Sequence, residues 1–265
     1  MKSKLFSGFS LTEVMISMAV VGIIAAITVP VVTNHYQKQA FLTMLQKNYV
    51  ELDENLTALH TENYQRNLWG SILAQPNASP ERFLKNYYNV KQDCGATAQP
   101  CFAAAYSSVN NPSESVNFSC NGYSVTVAGG AAICVVPAVN DFIHEAGRDL
   151  EAYSAARALA TPVVNPGAGA AVGGGVVKDP NDLLAVQSPA VVYIDTNGPE
   201  APNISGRDLF RLMIFDDFTV DEVNPTLSSE AKENARTTLA NNCLTSTDGS
   251  GCFSKIYDDN WKMTY

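Results

Sequence analysis

Glu13 is the first side chain whose chemistry stands out, because it sits at the head of an apolar run. From Val14 to Val32 the sequence holds 19 residues without a charge, about 28 Å as a helix, which just spans the hydrocarbon core of a bilayer. A carboxylate held deep in lipid costs about 2.5–3.5 kcal/mol, so Glu13 needs a partner. Three uses of the run compete. A secretory signal peptide would be cut after it, with Ala25-Ala26 as weak small-residue support. A plain membrane anchor would not be cut. A leader could instead be cut before it, between Gly8 and Phe9. Only the third supplies the partner: the new α-ammonium of Phe9, one helical turn from Glu13 or on a neighbouring copy. Such a pair offsets much of the desolvation and fixes axial register, because other registers leave a charge unpaired. A carboxylate in a first helical turn also suits the helix dipole.

Two further groups of residues could do chemistry. The stretch from Asp195 to Phe210 is rich in oxygen donors, and Asp195, Asn197, Asn203 and Asp208 could ligate calcium, with Gly198 and Gly206 letting backbone carbonyls converge. The EF-hand pattern fails there, since Pro199 takes the next ligand position and no Glu closes the loop. The default reading is a hydrogen-bonded turn between two strands, calcium the alternative. The six cysteines (Cys94, Cys101, Cys120, Cys134, Cys243, Cys252) form no CxxC, and the three histidines are far apart in sequence. Disulfides in an exported body are therefore expected rather than zinc. Many connectivities are open, and the simplest pairs sequence neighbours: Cys94 with Cys101, Cys120 with Cys134, Cys243 with Cys252.

Catalysis finds little support. No GxSxG, HExxH, P-loop or dinucleotide-binding glycine pattern occurs. Asp216-Asp217 reads as a solvated turn rather than an acid pair. A formal charge of -9 repels phosphate backbones, so no nucleic-acid partner is expected.

The elements that must position these residues are legible in outline. Phe41, Leu45, Tyr49, Leu52, Leu56 and Leu59 recur at steps of three and four, one stripe on a helix continuing to about residue 60. That stripe is expected to be the seam on which a sheet lies. Tyr123–Val127 and Ala131–Val136, joined through Gly129-Gly130, read as a hairpin; Ala190–Asp195 and Leu209–Phe215 are further strands. Asn140–Ala160 carries Ile143, Ala146, Leu150 and Tyr153 at helical spacing, and a Gly/Ala-rich stretch follows it. Residues 138–185 therefore read as an insertion between strands. The fold class is α+β, divided as 1–8 leader, 9–33 apolar helix, 34–60 amphipathic continuation and 61–265 globular body.

The string Gly8-Phe9-Ser10-Leu11-Thr12-Glu13-Val14-Met15-Ile16 resembles the processing and assembly motif of type IV pilins and type II secretion pseudopilins. The resemblance covers about the first 35 residues. It implies cleavage between Gly8 and Phe9, N-methylation of Phe9, and an assembly role for Glu13. Gly22 and Pro30 match helix-loosening residues, bracketing a segment that can unwind when subunits pack. The loop with Asp195, Asn197-Gly198, Pro202-Asn203, Gly206, Asp208 and Phe210 is similar to one between two strands of pilin-like proteins. The Cys243–Cys252 loop with its aromatic tail is similar to that of minor pilins, where a strand would follow. The expected fold is a long N-terminal helix packed on a C-terminal antiparallel sheet. The expected partners are other pilin subunits, a prepilin peptidase and an inner-membrane assembly platform. The expected places are the inner membrane for the precursor and a periplasmic or extracellular filament after assembly. A pseudopilin, or a membrane-anchored adhesin that borrows this export route, is the alternative role.

Overall fold

A computed structural model of the chain describes residues 10–63, 68, 71–73, 79–137, 190–215, 217–223 and 229–265. The chain divides into two compact units, the first ending at Ala40 and the second running from Phe41 to Tyr265. Helix α1 (Leu11–Asn63) crosses that division and is helical throughout, Gly22 and Pro30 included. A proline there removes one N–H from the helical ladder, and the backbone on either side remains helical. The insertion read at 138–185, with its helix at 140–160, lies outside the described residues.

In the second unit the stripe on α1 is core. Leu45, Leu52, Leu56 and Leu59 are fully buried, Phe41 nearly so, and Tyr49 is half-buried with its hydroxyl donating to the carbonyl of Val220 (3.0 Å). Next come α2 (Pro80–Tyr87), β1 (Val90–Gly95), β2 (Ala105–Ser108), β3 (Ser115–Asn117), β4 (Tyr123–Val127) and β5 (Ala132–Pro137). After residues 138–189 follow β6 (Ala190–Asp195), β7 (Ile204–Ser205), β8 (Leu209–Ile214) and β9 (Val220–Asp221). The chain then forms α3 (Ser229–Asn242) and α4 (Cys252–Asp258). Helix α2 starts as its sequence dictates: the Ser79 hydroxyl accepts from the N–H of Arg82, and Pro80 takes the first position, where an N–H would be idle.

The described strands form one sheet in the order β1-β4-β5-β6-β8-β7-β2-β3, with β9 also on β8. Its centre, β1-β4-β5-β6-β8, is antiparallel throughout. The sheet as a whole is mixed, because the two-residue strand β7 pairs parallel to both β8 and β2. One face, through Val125, Ile133, Val192, Ile194, Phe210 and Leu212, packs in the same cluster as the α1 leucines. The opposite face holds a smaller cluster of Phe102, Tyr106, Cys134, Val136 and Leu209. The alternation of strand side chains separates these two cores.

The tail departs from expectation. Residues 252–258 are helical, and no strand follows them. The cause lies outside the segment. Both oxygens of the buried Glu222 carboxylate accept from the start of α4, from the N–H groups of Gly251 (3.0 Å) and Ser254 (2.7 Å), donors a helix N-terminus leaves unpaired. Gly251 itself has φ 83°, and a Cβ there would lie 1.8 Å from the carbonyl oxygen of Leu239. Only glycine lets α3 and α4 approach this closely.

Candidate functional site

The described part of the first unit is the helix from Leu11, preceded by Ser10. Its Leu11–Val29 stretch, of mean hydropathy 2.1, is long and apolar enough to cross a membrane. Among the described residues none of that stretch is buried: Leu11, Met15, Ile16, Met18, Val21, Ile23 and Ile27 are each more than 60% exposed. Two of its hydroxyls fold back onto helical carbonyls, Ser17 to Val14 and Thr28 to Ile24, both at 2.9 Å, and the Thr12 hydroxyl bonds that of Ser10 (3.0 Å). This leaves an apolar cylinder with its polar atoms self-satisfied, the surface that lipid or another apolar helix accepts. A Cβ on Gly22 would meet nothing within 4 Å.

Glu13 lies in the first turn and closes a capping box. The Ser10 N–H donates to its carboxylate (3.4 Å) while the Glu13 N–H donates to the Ser10 hydroxyl (3.3 Å). The carboxylate is thereby held at the helix start, where the dipole favours it. Ser10 was missed from sequence, although Ser-x-x-Glu before an apolar run is its standard signature. Gly8 and Phe9 lie outside the described residues.

The second candidate is the Asp195–Asp208 loop, which joins β6 to β8 by way of β7. Both aspartates are fully buried. Asp195 accepts from the Tyr106 hydroxyl and, through Oδ1, from the N–H of Asn197 (3.2 Å). Burial nonetheless pushes its carboxyl up to about 7. Asp208 Oδ1 accepts from the N–H groups of Ile204 (2.7 Å) and Leu209 (2.9 Å), and its Oδ2 has no hydrogen-bond partner. Burial first, then the charge of Asp195, pushes Asp208 up to about 8. Asn197 Oδ1, Asn203 Oδ1 and Thr196 Oγ1 are likewise without partners. The structure thus places all four sequence-predicted oxygen donors in one loop, together with Tyr106 from β2, which sequence reasoning missed. Nothing local marks a tyrosine 89 residues away as a partner. Among the described residues no group of three or more His, Cys, Asp or Glu side chains is placed to hold a metal. An ion in this loop would need amide, hydroxyl, backbone or water oxygens as well.

Three disulfides are formed: Cys94–Cys101 and Cys120–Cys134, each with Cα atoms 6.1 Å apart, and Cys243–Cys252, 4.5 Å apart. The last ties the end of α3 to the start of α4. A buried acid–base arrangement beside it was also missed: Arg236 of α3 pairs with Asp221 and lies 4.1 Å from the Tyr257 ring centroid. Burial pushes the neighbouring Glu222 up to about 7. Asp217 behaves as a turn residue, accepting from the backbone N–H (3.1 Å) and hydroxyl (2.6 Å) of Thr219; Asp216 lies outside the described residues.

Comparison with known proteins adds one finding. The model of the prokaryotic N-terminal methylation motif matches residues 4–29. No curated protein and no solved structure matches the chain. A long helix followed by a mixed sheet is consistent with a pilin-like fold. The matched residues cover Gly8, Phe9, the Ser10–Glu13 cap and the exposed apolar helix, and the chain therefore carries the prepilin signal of type IV pilins and pseudopilins.

Proposed function

We propose that this chain is a structural subunit of a type IV pilus-like filament, cut between Gly8 and Phe9, methylated on the Phe9 amine, and assembled through its N-terminal helix. One observation carries the reading: the methylation motif coincides with an apolar helix that is unburied among the described residues. Such a surface needs an occupant other than water. In the membrane that occupant is lipid, and in a filament it is the same helix of neighbouring subunits. Glu13 is then the one acid among residues 9–33. Paired with a Phe9 ammonium, it would select one axial stagger and penalise the rest. Within this proposal Gly22 and Pro30 bracket the part of α1 that loosens on packing, since glycine and proline weaken helix more than any other residues.

The body then serves as the solvent-facing part of the subunit, and no enzymatic role is assigned to it. The peptidase, the other subunits and the assembly platform are partners on the same reasoning. A type II secretion pseudopilin would share the processing chemistry and the helix. Recovery in the fraction sheared from cells separates the two, since a pilus subunit is found there and a periplasmic pseudopilin is not.

The test is mass spectrometry of the chain produced with a prepilin peptidase, combined with Glu13→Ala. We expect a mature chain beginning at methylated Phe9, and a variant that is processed and membrane-bound yet depleted from filaments at least tenfold. A chain starting beyond Ala26 overturns the processing. Full incorporation of the Glu13 variant overturns the register role.

A further inference from the structure

We infer that the body carries a saccharide-binding cleft, on the sheet face opposite the α1 leucines, and that it takes a neutral sugar ring. This inference rests on the body alone and stands whether or not the chain is a filament subunit. The cleft, of about 160 Å³, is lined by Tyr106 of β2, Phe118 just beyond β3, Tyr193 of β6 and Arg211 of β8, with Asp248 and Ser250 from the connection between α3 and α4. Phe118 stands edge-on to both tyrosines, its ring centroid 5.7 Å from that of Tyr106 and 5.4 Å from that of Tyr193. Tyr106 is buried behind, while Phe118 and Tyr193 remain half-exposed. Tyr193 and Arg211 are register partners on β6 and β8, so their side chains leave the sheet on the same face.

The wall opposite the rings is set before any ligand arrives. The carbonyl of Ser246 accepts from Nδ2 of Asn110 (2.6 Å), Asp248 Oδ1 accepts from the N–H of Ser250 (3.0 Å), and the Cys243–Cys252 bridge closes the loop. A wall already ordered loses little entropy on binding. Aromatic rings beside fixed polar side chains select a ligand that is apolar on its ring face and polar around its edge. A pyranose has that form. Its C–H groups lie against an aromatic ring, and its hydroxyls each donate and accept. Arg211 offers only donors and a carboxylate at Asp248 only acceptors, so the two together serve neighbouring hydroxyls from both sides. A wholly apolar ligand would instead desolvate both charges and pair neither. A nucleotide would stack as well, but it brings phosphate, which the formal charge of -9 opposes. The same field disfavours carboxylated and phosphorylated sugars, which leaves the neutral ones.

The full chain, held in micelles of a detergent without a sugar headgroup, can be tested on an array of immobilised neutral and acidic glycans. The neutral oligosaccharide it retains best is then titrated calorimetrically. We expect retention of neutral glycans, with their sulfated or sialylated forms held more weakly, and a saturable heat of one saccharide per chain. Asp248→Asn keeps the acceptor for the Ser250 N–H and lies on an exposed loop. It should weaken binding about tenfold while leaving the unfolding midpoint unchanged. Tyr193→Ala should weaken binding about tenfold through the lost ring. Retention of no neutral glycan overturns the proposal. Binding that both variants leave undiminished overturns the location, and a preference for acidic glycans overturns the ligand class.

Discussion

Asp195, Asp208 and Glu222 are acids that the body hides from water, and burial is the first cause of the raised carboxyl in each. Their folded-state values, about 7, 8 and 7, lie above the ordinary 3.8 and 4.5. Between those limits the native state holds protons that the unfolded chain has released, so these groups make stability fall as pH rises from about 4 through 8. Urea unfolding should give a larger free energy at pH 5 than at pH 8. Glu222→Gln should remove its share of that difference, with the pH 5 value changed least. The residue scale was only half legible in sequence. Asp195 and Asp208 were visible because they belong to one short oxygen-rich stretch. Tyr106 and Glu222 were not, because each acts on a segment 89 or about 30 residues distant, and only the fold brings them there.

At the scale of elements, the long helix was readable because its leucines repeat over several turns, whereas α4 was not. Seven residues hold barely two turns, and Phe253 and Ile256 fit a strand edge as well as a helix face. What decides for helix is the Glu222 carboxylate at its first turn and the covalent tie to α3. The short polar strands β2 and β3 and the two-residue β7 were equally silent, since their periods are too brief to count. The tie itself can be tested. Cys243→Ser with Cys252→Ser should lower stability by about 2–3 kcal/mol through the freed unfolded chain. Denaturant midpoints of the variant and of the oxidised parent measure this, and an unchanged midpoint would mean that Glu222 and the packing of Phe253 suffice to hold α4.

Seen whole, the molecule places sequence neighbours far apart: β1 and β2 lie towards opposite ends of the sheet, while β5 and β6, separated by residues 138–189, are adjacent and in register. The hairpin and the two central strands were legible because each carries a buried apolar run, but the order in which strands assemble is set by pairings that no single segment encodes. The register gives a prediction. Replacing residues 138–189 with an Asn-Gly turn should leave the thermal midpoint within a few degrees of the parent, because β5 and β6 already pair in register up to Pro137 and Ala190. A variant that fails to fold, or melts far lower, would show that those residues supply core. Pro137 and Ala190 are register partners, so the chain between them starts and ends on a single rung. The length of chain between those two partners can change in a lineage while the rung that β5 and β6 share keeps its register.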